Sequence, residues 1–249
     1  MQVAAIYDIH GNLPALEAVL DEIRASGADL IVVGGDVVPG PMPVETVECL
    51  RALKTPAQFI QGNGEAAVLA QLAGVESGTL PEQAREAVRW TAQQLHPEHV
   101  SWLTSWPKTC SVEVDYLGQA LFCHATPRNN TEIFTRQTPE EVLLPVFREP
   151  GAPVVVCGHT HMQFDRMVGK TRVVNAGSVG MPFGEAGADW LLLGPDVQLR
   201  HTSYDLRQAA ERIRGTAYPQ AEDFAARNVL VPPSEDEMLK VLTRAELKS

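Results

Sequence analysis

Val3-Ala4-Ala5-Ile6-Tyr7-Asp8-Ile9-His10-Gly11-Asn12 is the stretch that decides the fold. A short unbroken apolar run leads straight into a carboxylate, an imidazole and an amide. Such a run suits a strand buried on both faces. Asn12 can cap a following helix, in which Leu13, Leu16, Leu20 and Ile23 recur at helical spacing before Gly27. Pro14 falls in the first turn, where its missing N–H does no harm. Leu30-Ile31-Val32-Val33 is the next buried strand and runs into Gly34-Gly35-Asp36. This strand–helix–strand unit, with an Asp after each strand, predicts a layered α/β fold.

The pattern extends less regularly downstream. Residues 58–61 predict a strand running into Gly62-Asn63-Gly64-Glu65, and residues 64–73 and 82–95 predict helices. Val112–Val114 and Ala120–Cys123 predict a hairpin that ends at His124. Val154–Cys157 is another buried strand, followed by Gly158-His159-Thr160-His161. A hairpin around Gly169-Lys170 leads to Val173-Val174-Asn175, and a last strand pair turns at Gly194-Pro195. Helices are predicted over 205–214, 220–227 and 235–247. The expected division is one layered domain over residues 1–203 and a helical C-terminal extension, residues 204–249, packed on the same domain.

Composition narrows the function classes. The 249 residues carry 31 acidic and 20 basic side chains, a formal charge of −11 that disfavours a nonspecific nucleic-acid binder or a polybasic membrane-surface protein. From residue 200 onward the charges balance, so the acidic excess lies in the first 199 residues. The four cysteines are scattered, with no C-x-x-C pair, and read as reduced thiols. No signal peptide or membrane-spanning run is evident, and a cytoplasmic protein is expected. A chain of this length needs no structural metal to fold, so a metal site would serve function.

Metal-type side chains gather at strand ends. Asp8, Asp36, Asn63, His124 and His159 each follow closely on a predicted strand, and His10 and His161 share two of those loops. Loops at the carboxyl ends of strands are where α/β folds build sites. In an extended strand end, residues i and i+2 point the same way, so Asp8 with His10, and His159 with His161, can each grip one ion. Imidazole with carboxylate suits Zn, Fe, Mn, Ni or Co better than Ca or Mg. Asp36 follows two glycines that permit close approach, and its two oxygens could bridge two ions. Asn63 offers a neutral carbonyl oxygen. Asn12 reads as a helix cap, a phosphate ligand, or both. Arg128 reads as a phosphate clamp or a surface arginine. Glu65 reads as orienting the Asn63 loop rather than binding metal. His96, His99 and His201 read as solvated surface histidines, and Trp90, Trp102 and Trp106 as packing a helical insertion onto the core.

Taken together, the blocks Asp8-Ile9-His10-Gly11-Asn12, Gly34-Gly35-Asp36, Gly62-Asn63-Gly64-Glu65, Cys123-His124-Ala125-Thr126-Pro127 and Gly158-His159-Thr160-His161 resemble the calcineurin-like metallophosphoesterase superfamily. The resemblance spans roughly residues 1–200. Asn175-Ala176-Gly177-Ser178-Val179-Gly180 and the tail from Ser203-Tyr204-Asp205 bring it nearer to small phosphodiesterase-like members of YfcE type. It implies a four-layer αββα sandwich of two mixed β-sheets flanked by helices. It implies two divalent metals, one held by Asp8, His10, Asp36 and His161, the other by Asp36, Asn63, His124 and His159. Asp36 would bridge them alongside a hydroxide that attacks phosphorus. Substrate contacts would come from Asn12, Asn63 and Arg128.

The expected activity is phosphoester hydrolysis, on a diester of a small or nucleotide-like molecule. The alternatives are phosphomonoester hydrolysis, on nucleotides or proteins, and a non-catalytic protein-binding scaffold. All seven ligand positions hold competent residues, which argues against the scaffold. Ligand types do not choose among Mn, Fe, Zn and Ni, with Mn favoured in vitro. A small-molecule phosphoester is the expected partner, with no stable nucleic-acid or membrane binding and a homo-oligomer left open. The sequence departs from many family members at Gly64, where they carry His. Loss of a side chain that assists the leaving group favours diesters or activated esters over alkyl monoesters.

Overall fold

The computed structural model describes every residue except 77, 79, 150, 248 and 249. The opening run forms β1 (Val3–Ile6), followed by α1 (Leu13–Ser26) and β2 (Leu30–Val33). Asn12 caps α1 by accepting the Ala15 N–H at 3.3 Å, and Gly27 ends it in the left-handed conformation. α2 (Pro43–Arg51), β3 (Ala57–Phe59), α3 (Asn63–Leu72), α4 (Glu82–Gln94) and α5 (Pro97–Thr104) complete the first half. The second half contains β4 (Thr109–Val114), β5 (Gly118–Cys123), α6 (Glu140–Phe147), β6 (Val154–Cys157), β7 (Gln163–Val168), β8 (Thr171–Ala176), β9 (Ala188–Leu193) and β10 (Val197–Thr202). The tail holds α7 (Leu206–Arg214), α8 (Ala221–Phe224), a π-helical segment (Ala225–Leu230) and α9 (Glu235–Leu242).

Two five-stranded mixed sheets result, as the family resemblance implies. The first runs β10-β9-β1-β2-β3, with β1, β2 and β3 parallel and β9 antiparallel to both neighbours. The second runs β4-β5-β6-β8-β7, with β5, β6 and β8 parallel and antiparallel edges. Strand periodicity divides the core. Val3, Ala5, Tyr7, Val32 and Leu191 meet Phe122, Val154, Val156 and Val174 between the sheets. Ala4, Ile6, Ile31 and Val33 face Leu16, Val19, Ile23 and Val47 of the helical layer. The other face of the second sheet packs on Leu143, Val146 and Phe147 of α6. Each large apolar side chain buried this way contributes about 1.5–3 kcal/mol.

Several sequence expectations need correction. α2, α5 and α6 lie outside the helix ranges expected from the sequence. Pro43 and Pro97 occupy first-turn positions, and Pro145 lies inside α6. His99 is not a surface residue. It is 2 % exposed, and its Nε2 lies 2.7 Å from Glu48 Oε1 on α2. His201 belongs to β10 and sits half-buried with Nδ1 2.8 Å from Asp189 Oδ1. The 220–227 helix is α8 continued by the π-helical segment, and the last helix stops at Leu242.

Trp106 and Trp102 pack around Phe59 in the first core, while Trp90 meets Tyr218 of the tail. Ala209, Ala210, Ile213, Tyr218 and Phe224 close over Ala87 of α4. No helix among the described residues is long and apolar enough to cross a membrane.

Candidate metal centre

Five of the six non-glycine residues with positive φ among the described residues are candidate ligands: Asp8, His10, Asp36, His159 and His161. Their φ values run from 48° to 68°. The expectation of an extended i, i+2 pairing is therefore corrected. β1 stops at Ile6 and β6 at Cys157, and left-handed turns then swing the side chains into the gap between the sheets. Asp and His tolerate this region better than most residues, yet it is strained backbone, a feature that collects at functional sites.

The turns bring six of the ligand types into two groups: Asp8, His10 and His161, and Asp36, His124 and His159. In the first, His161 Nε2 lies 3.3 Å from Asp8 Oδ1 and 3.2 Å from His10 Nε2. In the second, His124 Nε2 lies 3.5 Å from Asp36 Oδ1 and 2.9 Å from Asn63 Oδ1. Asp36 joins them, because its Oδ2 is 3.8 Å from His10 Nε2. The second oxygen of Asp8 accepts the His159 N–H at 2.8 Å and so ties β1 to the β6 loop.

The donor set fits divalent transition metals. His124 Nδ1 donates to Gly34 O and His161 Nδ1 to Met181 O, each at 2.9 Å. Those bonds select the tautomer that leaves Nε2 as a lone pair facing the carboxylates. The His124 lone pair then opposes the Asn63 carbonyl oxygen, and Asp8 Oδ1 is fully buried with no hydrogen-bond partner. A cation resolves both conflicts.

The buried carboxylates and imidazoles also shift one another's proton affinities. Burial raises the Asp8 carboxyl, but His161, His124 and His10 outweigh it and hold Asp8 below the usual carboxylate range. Burial pulls His124 and His161 down, and the carboxylates overcome it and push both up. Burial lowers His159 to about 4, with the neighbouring His124 charge assisting, so its ring is neutral at pH 7.

Behind the ligands stands Glu65, whose role the sequence only suggested. It is fully buried, and its carboxylate accepts the N–H groups of Asp36, Val37, Val38 and Gly62 at 2.7–3.1 Å. Glu65 thus braces the Asp36 loop as well as the Asn63 loop. Burial and the Asp36 charge push it up to about 7. Gly64 donates its N–H to Asp36 Oδ1 at 2.6 Å. Gly35, at φ 91°, lets the loops close, since a Cβ there would fall 2.5 Å from Gly62 N.

The remaining candidates, Asn12 and Arg128, have their polar atoms engaged by the protein itself. Asn12 is fully buried, and its Nδ2 donates to Gly180 O and Tyr204 Oη. The Arg128 Nε bonds both oxygens of Glu132, at 2.9 and 3.1 Å. Phe183, absent from the sequence reading, stacks on His161 at 5.3 Å between centroids. No periodicity marks it, because it sits on an irregular loop.

A two-sheet α/β sandwich with paired acid–imidazole clusters at one edge defines a metal-dependent phosphoester hydrolase. The chain belongs to the calcineurin-like phosphoesterase superfamily, whose domain description matches residues 1–194. It is 29% identical over 240 residues to the uncharacterized protein MJ0912 of Methanocaldococcus jannaschii, covering 88% of this chain and 94% of that one. The crystal structure of a metallophosphoesterase from Sphaerobacter thermophilus superposes with a TM-score of 0.73 at 26% identity, covering 92% of this chain and 99% of that one. Hypothetical protein PH1004 of Pyrococcus horikoshii OT3 shares the fold, with a TM-score of 0.77 at 20% identity over 94% and 99% of the two chains.

Proposed function

We propose that the chain hydrolyses phosphodiesters of small or nucleotide-like molecules with two divalent transition metal ions. Asp36 carries this reading: a buried carboxylate between two ligand clusters, with Oδ1 toward His124 and Oδ2 toward His10. One ion would be held by Asp8, His10, His161 and Asp36, the other by Asp36, Asn63, His124 and His159. When bound, the pair supplies an acidified water near neutral pH and offsets charge on the phosphoryl oxygens. Gly34 O and Met181 O hold two ligand imidazoles in the required tautomer, and Glu65 fixes the loops that present Asp36 and Asn63.

The diester preference is supported by Gly64, which puts no proton donor beside the leaving group. A missing general acid costs about 10²–10⁴-fold on poor leaving groups. The Phe183 ring on His161 supports a flat aromatic or nucleoside group in the substrate. Asn63 would touch substrate through the ion it serves, whereas the Asn12 amide is already engaged within the protein. Mn is the cofactor of choice for assay, and the ligand set equally accommodates Fe, Zn or Ni. Four free cysteines favour a reducing compartment, the cytoplasm. Residues 1–203 would form the catalytic domain and 204–249 its extension.

The test is metal analysis of protein purified without chelator, with turnover of bis-p-nitrophenyl phosphate against an alkyl monoester. About two metal equivalents, faster diester turnover and loss of both in Asp36→Ala support the reading. Faster monoester turnover overturns the diester preference. Absence of both bound metal and Mn-stimulated activity favours the scaffold.

A further inference from the structure

A small recess opens beside His124. Its volume is about 110 Å³, and Lys108, Thr109, His124, Thr126, Asn129 and Asn130 line it together with Arg128. Two contacts fix Lys108 at the margin of the metal centre. Thr109 pairs with Cys123 across β4 and β5, which sets Lys108 next to His124. The Gln61 N–H donates to Pro107 O at 2.8 Å, which ties the same segment to the loop carrying Asn63.

The recess is polar, and its charges are unequal. Arg128 is paired with Glu132 through its Nε and through Nη2 at 2.8 Å, so its charge is largely offset. Lys108 is exposed and has no ion pair among the described residues. Asn129 spends its carbonyl oxygen on the Thr131 N–H and hydroxyl, leaving its NH₂ as the free end. The volume is well below the ~300–1,000 Å³ of a pocket for a drug-sized ligand. It suits one small group rather than a nucleoside. An ammonium and an amide donor around so small a space select an anion with several acceptor oxygens.

We propose that this recess is an anion subsite for a second phosphate group of the substrate, with Lys108 as the specificity-determining residue. The inference rests on the phosphodiesterase reading, and it narrows the substrate to diesters that carry a further phosphate. The scissile phosphate sits over the clusters, and the second phosphate lies past His124 against Lys108. Glu132 competes with that phosphate for Arg128, which leaves Lys108 as the main source of discrimination.

The test compares the p-nitrophenyl ester of thymidine 5′-phosphate with its 3′-phosphorylated counterpart, on the full-length metal-loaded protein. We expect kcat/KM to favour the phosphorylated ester about tenfold or more, mainly through KM, the size of one charge-assisted hydrogen bond. In Lys108→Ala the ratio falls toward 1, and in Lys108→Arg it is kept. A wild-type ratio of 1 or below, or a ratio unchanged in Lys108→Ala, overturns the subsite. A purely structural lysine would lower both esters together and shift the melting temperature. If neither ester is turned over, the phosphodiesterase reading fails first. Inorganic phosphate added to the full-length protein then decides the subsite alone. Amide shifts at Asn129 and Asn130 that vanish in Lys108→Ala uphold it, and their absence in the wild type overturns it.

Discussion

Gly64 and Asp36 are joined by a 2.6 Å hydrogen bond from backbone N–H to Oδ1, and a Cβ on Gly64 would fall 2.1 Å from Val38 O. The position that holds His in many relatives is therefore closed by the chain's own backbone. Gly64→Ala should destabilise the fold by about 1–3 kcal/mol, the usual cost of overpacking. Gly64→His should lower diester turnover rather than restore monoester activity. Thermal melts and the two turnover assays check both. A Gly64→His variant that gains alkyl monoesterase activity at wild-type stability would falsify this account.

Glu65 tests the brace. Its carboxylate accepts four backbone N–H groups, whereas a glutamine offers one oxygen and turns an NH₂ toward the other donors. Glu65→Gln should cost about 2–4 kcal/mol through buried donors left unpaired. It should also weaken metal retention on dialysis, since the Asp36 and Asn63 loops are no longer fixed. Equal stability and equal metal content would show that the loops hold without it.

Backbone strain at the ligands predicts an unusual pair of results. His159 sits at φ 68°, so His159→Gly relieves strain worth about 1 kcal/mol or more. Chelator-treated His159→Gly should melt no lower than chelator-treated wild type, while its hydrolytic activity is lost. His99→Gly is the contrast, because His99 is buried within α5 in ordinary helical backbone. It should cost about 2 kcal/mol or more through lost packing and helix propensity. Similar losses at the two sites would refute the strain argument.

His201 predicts the pH response of the fold outside the metal centre. Its bond to Asp189 raises its pKa above the ordinary 6.5 against the opposing effect of burial. Asp189 is itself pushed up by burial, with His201 pulling it back. A raised histidine pKa in the folded state means the proton is bound more tightly there. The resulting stability is full below about pH 6.5 and fades as pH rises through the folded value. The contribution is on the order of 1 kcal/mol. Urea midpoints from pH 5.5 to 9 should fall for the wild type over that window and stay flatter in His201→Asn. Parallel curves would remove His201 from the account.

The layers were legible in sequence because β1, β2 and β6 are unbroken apolar runs, and such runs have few other uses in a domain of this size. The proposed ligand residues were legible because each lies at or just past the end of a predicted strand. Their geometry was not: nothing in Asp8-Ile9-His10 distinguishes an extended end from a left-handed turn, and only the packing of the loops selects between them. His99 reads as a surface residue in the sequence because its partner, Glu48, lies 51 residues away on another helix. Lys108 was passed over because the significance of an isolated lysine comes from the Thr109–Cys123 register and the Gln61–Pro107 bond, both long-range. Glu65 gave a local signal three residues after Gly62, but its contacts to residues 36–38 appear only in the fold.

The proposed ligand set is split between the two sheets. Asp8 and Asp36 leave strands of the first, while His124, His159 and His161 leave strands of the second. Neither sheet owns a complete pocket. An ion seated there acts as a rivet, and part of its binding free energy becomes adhesion between the halves of the sandwich. Cations that bind more tightly should make the two sheets come apart more nearly as one unit, so the same ligands that govern reactivity also govern how cooperatively the molecule yields.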